Sequence, residues 1–288
     1  MSGTLKEKTW SYLLKKINDH QCVPVIGAGA SSPPLPLGST IAADWAREYD
    51  YPGDNPRNLI EVAQFLAVRN WVRWPQEQIL KLLDGVAPPD FTAPDEPHGL
   101  LADLPLKIYL TTNYDDFMMR ALKARNRSAH RERPRWNKHM LGQPSVFDND
   151  DFYPSIAEPV VFHLHGHSTQ ESIVLTEDDY VNFISYVGHD FEKLMPLRFA
   201  ERLANWTNVF IGYRLADWNF RVLFQGILRE TPPGSIVVLK PPGDDELARR
   251  QRWYLDNYYG DMNLEVYWGT AREFTAELRE RWNTFSKT

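Results

Sequence analysis

Three short segments of this chain carry residues whose types and spacing could do chemistry. VPVIGAGAS spans residues 23–31, IYLTTNYDD spans 108–116 and VFHLHGH spans 161–167. Each is an apolar run that ends in small or polar residues. A buried strand that breaks into Gly27-Ala28-Gly29-Ala30-Ser31 can bring its backbone against a pyrophosphate. The second run ends in Asn113 and Asp115, an amide and a carboxylate that could orient a ligand. The third ends in His165, whose side-chain type is suited to moving a proton near neutrality. In an open parallel sheet the strand ends converge on one crevice, so residues far apart in sequence can meet there.

Each segment also has a plainer reading. The glycine turn serves either nucleotide contact or a simple tight turn. The third glycine of a G-x-G-x-x-G pattern would fall at Ser32, and no acidic residue ends a second strand about 20 residues on. Asn113 and Asp115 could cap the following helix. His163, His165 and His167 alternate, so on a strand they share one face. That pattern fits a metal site or histidines packed in a core; no further metal ligand is visible. The Trp-rich stretch NWVRWP (70–75) reads as packing. The tract 120–139 holds six Arg and two Lys against one Glu. It reads as a solvated surface loop or as a face for nucleic acid or an acidic protein.

These residues need a scaffold, and composition bounds it. The chain has 288 residues, 43% hydrophobic and 13% aromatic, enough for a sizeable globular core. With 32 Lys and Arg against 38 Asp and Glu, the net charge is −6, which argues against general nucleic-acid binding. Cys22 is the only cysteine, so neither an internal disulfide nor a cysteine-rich zinc ribbon can form. The start has no apolar signal core and no stretch approaches a membrane span, so a cytoplasmic location is expected.

Hydrophobic periodicity predicts an amphipathic helix over 5–19 and strands at 22–26, 107–112, 159–164, 208–212, 235–239 and 264–267. Helices are predicted at 41–48, 57–70, 76–84, 115–124, 191–205, 217–229, 245–257 and 270–284. Thr176 and Asp179 mark a capping-box helix start running through about Ile184. Residues 84–97 read as a Pro-rich connection and 125–156 as a loop or small insertion. Alternating apolar strands and helices predict an α/β fold: one Rossmann-like domain over 1–288, a parallel sheet with helices on both faces. The core is placed at about 20–240, with a helical insertion at about 40–100 and a basic and acidic loop insertion at about 120–156.

The order GAGAS, TTNYDD, HLHGH resembles the sirtuin family of NAD-consuming enzymes. Residues 27–31 match the family's GAG-x-S turn letter for letter. Thr112 stands where sirtuins commonly have Gln, and His165-Gly166 resembles the pair that holds the sirtuin catalytic histidine. Ile211-Gly212-Tyr213, followed by Asp217, resembles the later glycine turn that approaches the adenosine half of the dinucleotide. The resemblance implies that Asn113, Asp115 and His165 are catalytic, and that Gly27, Ala28, Gly29, Ser31, Thr112, Gly212 and Tyr213 bind NAD. Asn113 and Asp115 would orient the ribose, and His165 would activate a ribose hydroxyl or water. No metal is implied, because the nicotinamide leaving group already carries positive charge. Sirtuins that deacylate proteins insert a four-cysteine zinc module after the catalytic histidine, and this chain has none.

That departure is similar to the sirtuin-like effectors of bacterial antiviral systems, which hydrolyse NAD. The implied activity is cleavage of NAD to nicotinamide and ADP-ribose. A protein deacylase and a non-catalytic NAD or ADP-ribose sensor stand as alternatives. The resemblance further implies a homo-oligomer switched on by a separate sensor, such as a HerA-like ATPase or a short Argonaute.

Overall fold

A computed structural model describes residues 5–189, 196–213, 232, 234–243 and 245–287. Its frame is a seven-stranded sheet in the order β3-β4-β2-β1-β5-β6-β7, parallel throughout. The strands are β1 (Cys22–Ile26), β2 (Ile108–Thr111), β3 (His130–Glu132), β4 (Val160–His163), β5 (Thr207–Ile211), β6 (Ser235–Leu239) and β7 (Leu264–Trp268). Five of them, β1, β2, β4, β5 and β6, are buried at every position, as strands covered on both faces must be.

Successive side chains split between two cores. Val23, Val25, Leu110, Phe162, Phe210 and Val237 face one. Cys22, Ile26, Tyr109, Val161, Val209 and Ile236 face the other. The first core is closed by Tyr180 and Phe183 of α7 (Glu177–His189), Phe199 and Leu203 of α8 (Leu197–Asn205), and Leu255 and Tyr259 of α9 (Glu246–Gly260). The second is closed by Trp10, Leu13 and Ile17 of α1 (Glu7–Asn18), Met118 and Leu122 of α6 (Phe117–Lys123), and Phe274 and Leu278 of α10 (Ala271–Phe285).

The chain winds from β1 outward through β2 to the β3–β4 edge, then returns across the sheet to β5 beside β1. A sheet that reverses its winding direction opens a crevice outside the carboxyl ends of the strands at that point. Between β1 and β2 the chain forms α2 (Gly38–Glu48), α3 (Leu59–Arg69) and α4 (Trp74–Asp84), which pack around Ala42, Val62, Leu66 and Trp74. It is fastened to α7 through Asp179, which accepts from Arg73 Nη1 at 2.9 Å and Gln76 Nε2 at 2.7 Å. The predicted capping box is present: Asp179 N donates to Thr176 Oγ1, and Thr176 N donates to Asp179 Oδ2.

Two elements differ from the sequence expectation. The stretch 125–156 contributes β3 to the sheet edge, pairing His130, Arg131 and Glu132 with Val160, Val161 and Phe162. Three residues are too few to show a period, so this strand is specified by its neighbour. Immediately after the Pro-rich connection comes a short helix, α5 (Pro97–Ala102), with Pro97 at its first position and Glu96 as its N-cap. The predicted helix at 217–229 lies outside the described residues, as do 191–195 of the helix predicted at 191–205.

Candidate active site

The GAGAS turn leaves β1 as a single 3-10 turn over Ala28–Ala30. Much of its backbone is already committed within the protein. Gly27 N donates to Ile211 O at 2.8 Å and Gly29 N to Gly212 O at 2.9 Å. Ala30 N and Ser31 N close the turn on Gly27 O and Ala28 O. Among the described residues, the Ala28 N–H is the turn's one amide without a protein acceptor. The glycines are therefore required first by turn-on-turn packing. A Cβ on Gly29 would sit 3.0 Å from the Gly212 Cα, and Gly212 itself has φ +83°. That left-handed conformation strains any residue with a Cβ.

At the end of β2, Asn113 is buried and its carboxamide points back across the sheet. Its Nδ2 donates to Gly27 O at 3.1 Å and to Ser31 Oγ at 2.9 Å. Ser31 in turn donates to Asp115 Oδ2 at 2.8 Å. Asp115 uses its other oxygen to accept from Phe117 N, which starts α6. One Asp115 oxygen thus supports the start of α6 and the other faces Ser31. Ser31 is the oxygen at which the first and second motifs meet. Thr112 joins the Gly212–Tyr213 turn: its hydroxyl lies 3.1 Å from Tyr213 Oη, which donates to Ile26 O at 3.2 Å. With the Tyr213 hydrogen spent on Ile26, Thr112 is the donor of that pair.

The three histidines do not share one face, contrary to the sequence expectation. β4 ends at His163, and the turn that follows carries His165 away from the other two. His163 and His167 pack ring to ring, centroids 4.6 Å apart. His163 Nδ1 lies 3.1 Å from Asn113 O, an acceptor, so that nitrogen carries the hydrogen. His165 sits edge-on to Tyr180 and Phe183, with Nδ1 3.4 Å from the Tyr180 hydroxyl. Gly166 permits this path: φ is +84°, and a Cβ there would overlap the Ser172 carbonyl. Burial pushes the His165 imidazole down to about 3. It pushes His167 down to about 3 as well, helped by the charges of Arg131 and Arg133. His163 is held well below its ordinary value, first by burial and then by His167. All three are neutral at physiological pH. Among the described residues, no three or more His, Cys, Asp or Glu side chains gather as a metal site would require.

One pair in this region escaped the sequence reading. His98, at the start of α5, places Nε2 3.5 Å from Ser31 Oγ and Nδ1 2.7 Å from Glu96 Oε1. Glu96 and His98 are 2% and 1% exposed. Burial by itself raises the Glu96 carboxyl, but the His98 hydrogen bond and charge and the Gly99 N–H outweigh it and hold the group below the usual range. The available signal was Glu96-Pro97-His98-Gly99 ahead of an apolar LLA run, a helix start with proline at its first position.

The Arg-rich tract 120–139 is mixed: Arg120, Lys123, Arg131 and Lys138 are exposed, and Arg127 points inward. Arg127 is buried and donates to the carbonyls of Ile156, Ala102, Leu104 and Leu106 and to Tyr109 Oη. Arg120, Arg125 and Arg135 pair with Asp116, Asp103 and Asp148, and Arg133 donates to His167 O. Asp217 lies outside the described residues.

The sequence pattern of the SIR2-like domain family matches residues 107–266. The chain is similar to NAD(+) hydrolase ThsA of Acinetobacter baumannii (strain 532279), 24% identical over 224 residues. That alignment takes in 75% of this chain and 41% of the relative, so the chain spans less than half the length of that protein. A solved structure described as "Structural Basis for the Mechanism and Regulation of Sir2 Enzymes" superposes with a TM-score of 0.47 at 14% identity. It covers 99% of this chain and 100% of that one. With its motifs at adjacent strand ends and more than half its length matched, the chain belongs to the SIR2-like domain family.

Proposed function

We propose that this protein hydrolyses NAD, cleaving the bond between ribose and nicotinamide to release nicotinamide and ADP-ribose. The observation that carries this reading is the hydrogen-bonded junction of Ser31, Asn113 and Asp115 at the mouth of the sheet. The relative named as an NAD(+) hydrolase supports the same chemistry. The pyrophosphate lies along the 27–31 turn, where the Ala28 N–H is available to it, and the adenosine half faces the Gly212–Tyr213 turn. Asn113 and Asp115 orient the nicotinamide ribose. As the C1′–N bond breaks, its electron pair neutralises the pyridinium nitrogen. Water adds to C1′, and neutral His165 accepts the proton, directly or through a ribose hydroxyl.

Incubation with NAD, with and without an acylated peptide, tests this directly. Nicotinamide release without peptide, matched by ADP-ribose, is expected. Release that requires the peptide and yields O-acyl-ADP-ribose would instead establish a deacylase, and binding without turnover would establish a sensor.

An unregulated NAD hydrolase drains the cell that makes it, so the activity must be held in check. The reading therefore extends to an antiviral effector that works as a homo-oligomer and is switched on by a separate sensor, a HerA-like ATPase or a short Argonaute. Nicotinamide release measured over a wide protein concentration range, and then with such partners added, tests it. Full, concentration-independent activity of a monomer would overturn the regulatory part. Among the described residues no helix is long and apolar enough to cross a membrane.

A further inference from the structure

We propose that Glu96 and His98 form a buried positioning pair that acts through the Ser31 hydroxyl to set the Asn113 carboxamide and the Asp115 carboxylate for their ligand. The inference rests on the NAD-cleaving reading above and adds to it two residues outside the family-like motifs.

The proton inventory leads there. Glu96 accepts on both oxygens: from His98 Nδ1 at 2.7 Å and from Gly99 N at 2.6 Å. His98 Nδ1 therefore carries a hydrogen, and the ring presents Nε2 to Ser31 Oγ. Ser31 has one hydrogen and two lone pairs. Its hydrogen goes to Asp115, and one lone pair accepts from Asn113. The remaining lone pair is the one His98 can reach. A doubly protonated His98 donates to it, completes the hydroxyl's coordination, and is balanced by the buried Glu96 carboxylate. A neutral His98 instead competes with Asp115 for the single Ser31 hydrogen. In both states the Glu96–His98 pair decides where that hydrogen points, and hence whether Asp115 and Asn113 stay joined.

The carboxylate–imidazole–hydroxyl order is that of an activated nucleophile. Ser31 is unsuited to that role here. Its hydrogen and a lone pair are already engaged by Asp115 and Asn113, and it is 3% exposed. The relay has a different terminus, the two groups assigned to the ribose. Phe117 packs edge-on against the imidazole, ring centroids 5.7 Å apart.

A double-mutant cycle between His98→Leu and Ser31→Ala tests the relay, read by nicotinamide release and by ADP-ribose affinity in calorimetry. His98→Leu is expected to lower kcat about ten- to hundredfold with KM for NAD within about twofold. His98→Gln, which keeps a donor toward Ser31, is expected to recover part of that loss. In the Ser31→Ala background, His98→Leu is expected to add little, because the group it acts through is gone. Equal losses in both backgrounds, in folded variants, would show that His98 is merely structural and would overturn the inference. Should His98→Leu fail to fold, Glu96→Gln with Ser31→Ala runs the same cycle under the same criterion. The parent protein keeps the two claims apart. Nicotinamide release with an additive cycle refutes the relay alone. No release at any protein concentration or with the partners added, but coupled effects on ADP-ribose affinity, refutes the hydrolase reading alone.

Discussion

Replacing Asn113 with Asp changes one nitrogen to oxygen and little else in shape, yet the structure makes it a severe change. Asn113 Nδ2 donates to two acceptors, Gly27 O and Ser31 Oγ. A carboxylate loses both hydrogen bonds, about 1 kcal/mol each. It also turns an oxygen toward the Gly27 carbonyl, which has no hydrogen to give. The charge then faces Asp115. Both groups touch Ser31 Oγ, at 2.9 and 2.8 Å, so the two carboxylates lie within about 6 Å of each other. At that separation and an effective dielectric of roughly 20, Coulomb repulsion is about 3 kcal/mol.

The total is about 5 kcal/mol near pH 7.5, or a fall in Tm of roughly 10–20 °C for a domain of this size. The repulsion raises the pKa of the new carboxyl in the folded state. A group with a raised folded pKa is tolerated below its unfolded value and costs stability as pH rises through the folded one. The deficit of Asn113→Asp relative to the parent is therefore expected to be small near pH 4.5 and to grow toward pH 7.5. Thermal unfolding of both proteins across that range measures it. A variant within about 2 °C of the parent at pH 7.5, or a deficit independent of pH, would refute the Ser31-centred network.

His165→Ala is expected to abolish nicotinamide release while circular dichroism and Tm report a folded protein; hydrolysis at the parent rate would remove His165 from the site. His163, His165 and His167 are buried and neutral, with folded pKa values lowered mainly by burial. Their unfolded forms bind protons below about pH 6.5, so stability falls as pH drops through that value toward 3. Denaturant titration is expected to find the parent up to about 4 kcal/mol less stable at pH 5.5 than at 7.5, with the difference shrinking in His167→Gln. Equal stability at the two values would show that these imidazoles are not buried as neutral groups. Arg127→Ala strips five acceptors of their donor and is expected to cost about 3–5 kcal/mol in urea denaturation, whereas Arg120→Ala, an exposed helix pair, changes it by less than about 1.

Much of the scaffold was legible because its signals are local. The runs at 22–26, 159–164 and 235–239 are apolar on both faces, and only a strand covered on both sides accommodates that pattern. The Thr176–Asp179 box and the helix register of Trp10, Leu13 and Ile17 are likewise set by residues within a turn or two of one another. The order of the glycine turn, Asn113 with Asp115, and His165 along the chain also stood in the sequence alone, since it needs no coordinates. What tertiary structure decided was every relation across the sheet. Three alternating histidines imply a common face only while the strand continues; β4 stops at His163, so His165 leaves and His163 pairs with His167. The basic tract suggested an outward charge, and Arg120, Lys123, Arg131 and Lys138 are exposed, but Arg127 turns inward to acceptors, among them Leu104 O and Tyr109 Oη, that packing brings to it. Glu96 and His98 show no periodicity and lie 65 or more positions from Ser31. Only the closure of α5 against the GAGAS turn places an imidazole 3.5 Å from that hydroxyl. Side-chain hydrogen bonds over such separations depend on how the layers close, which no local pattern encodes.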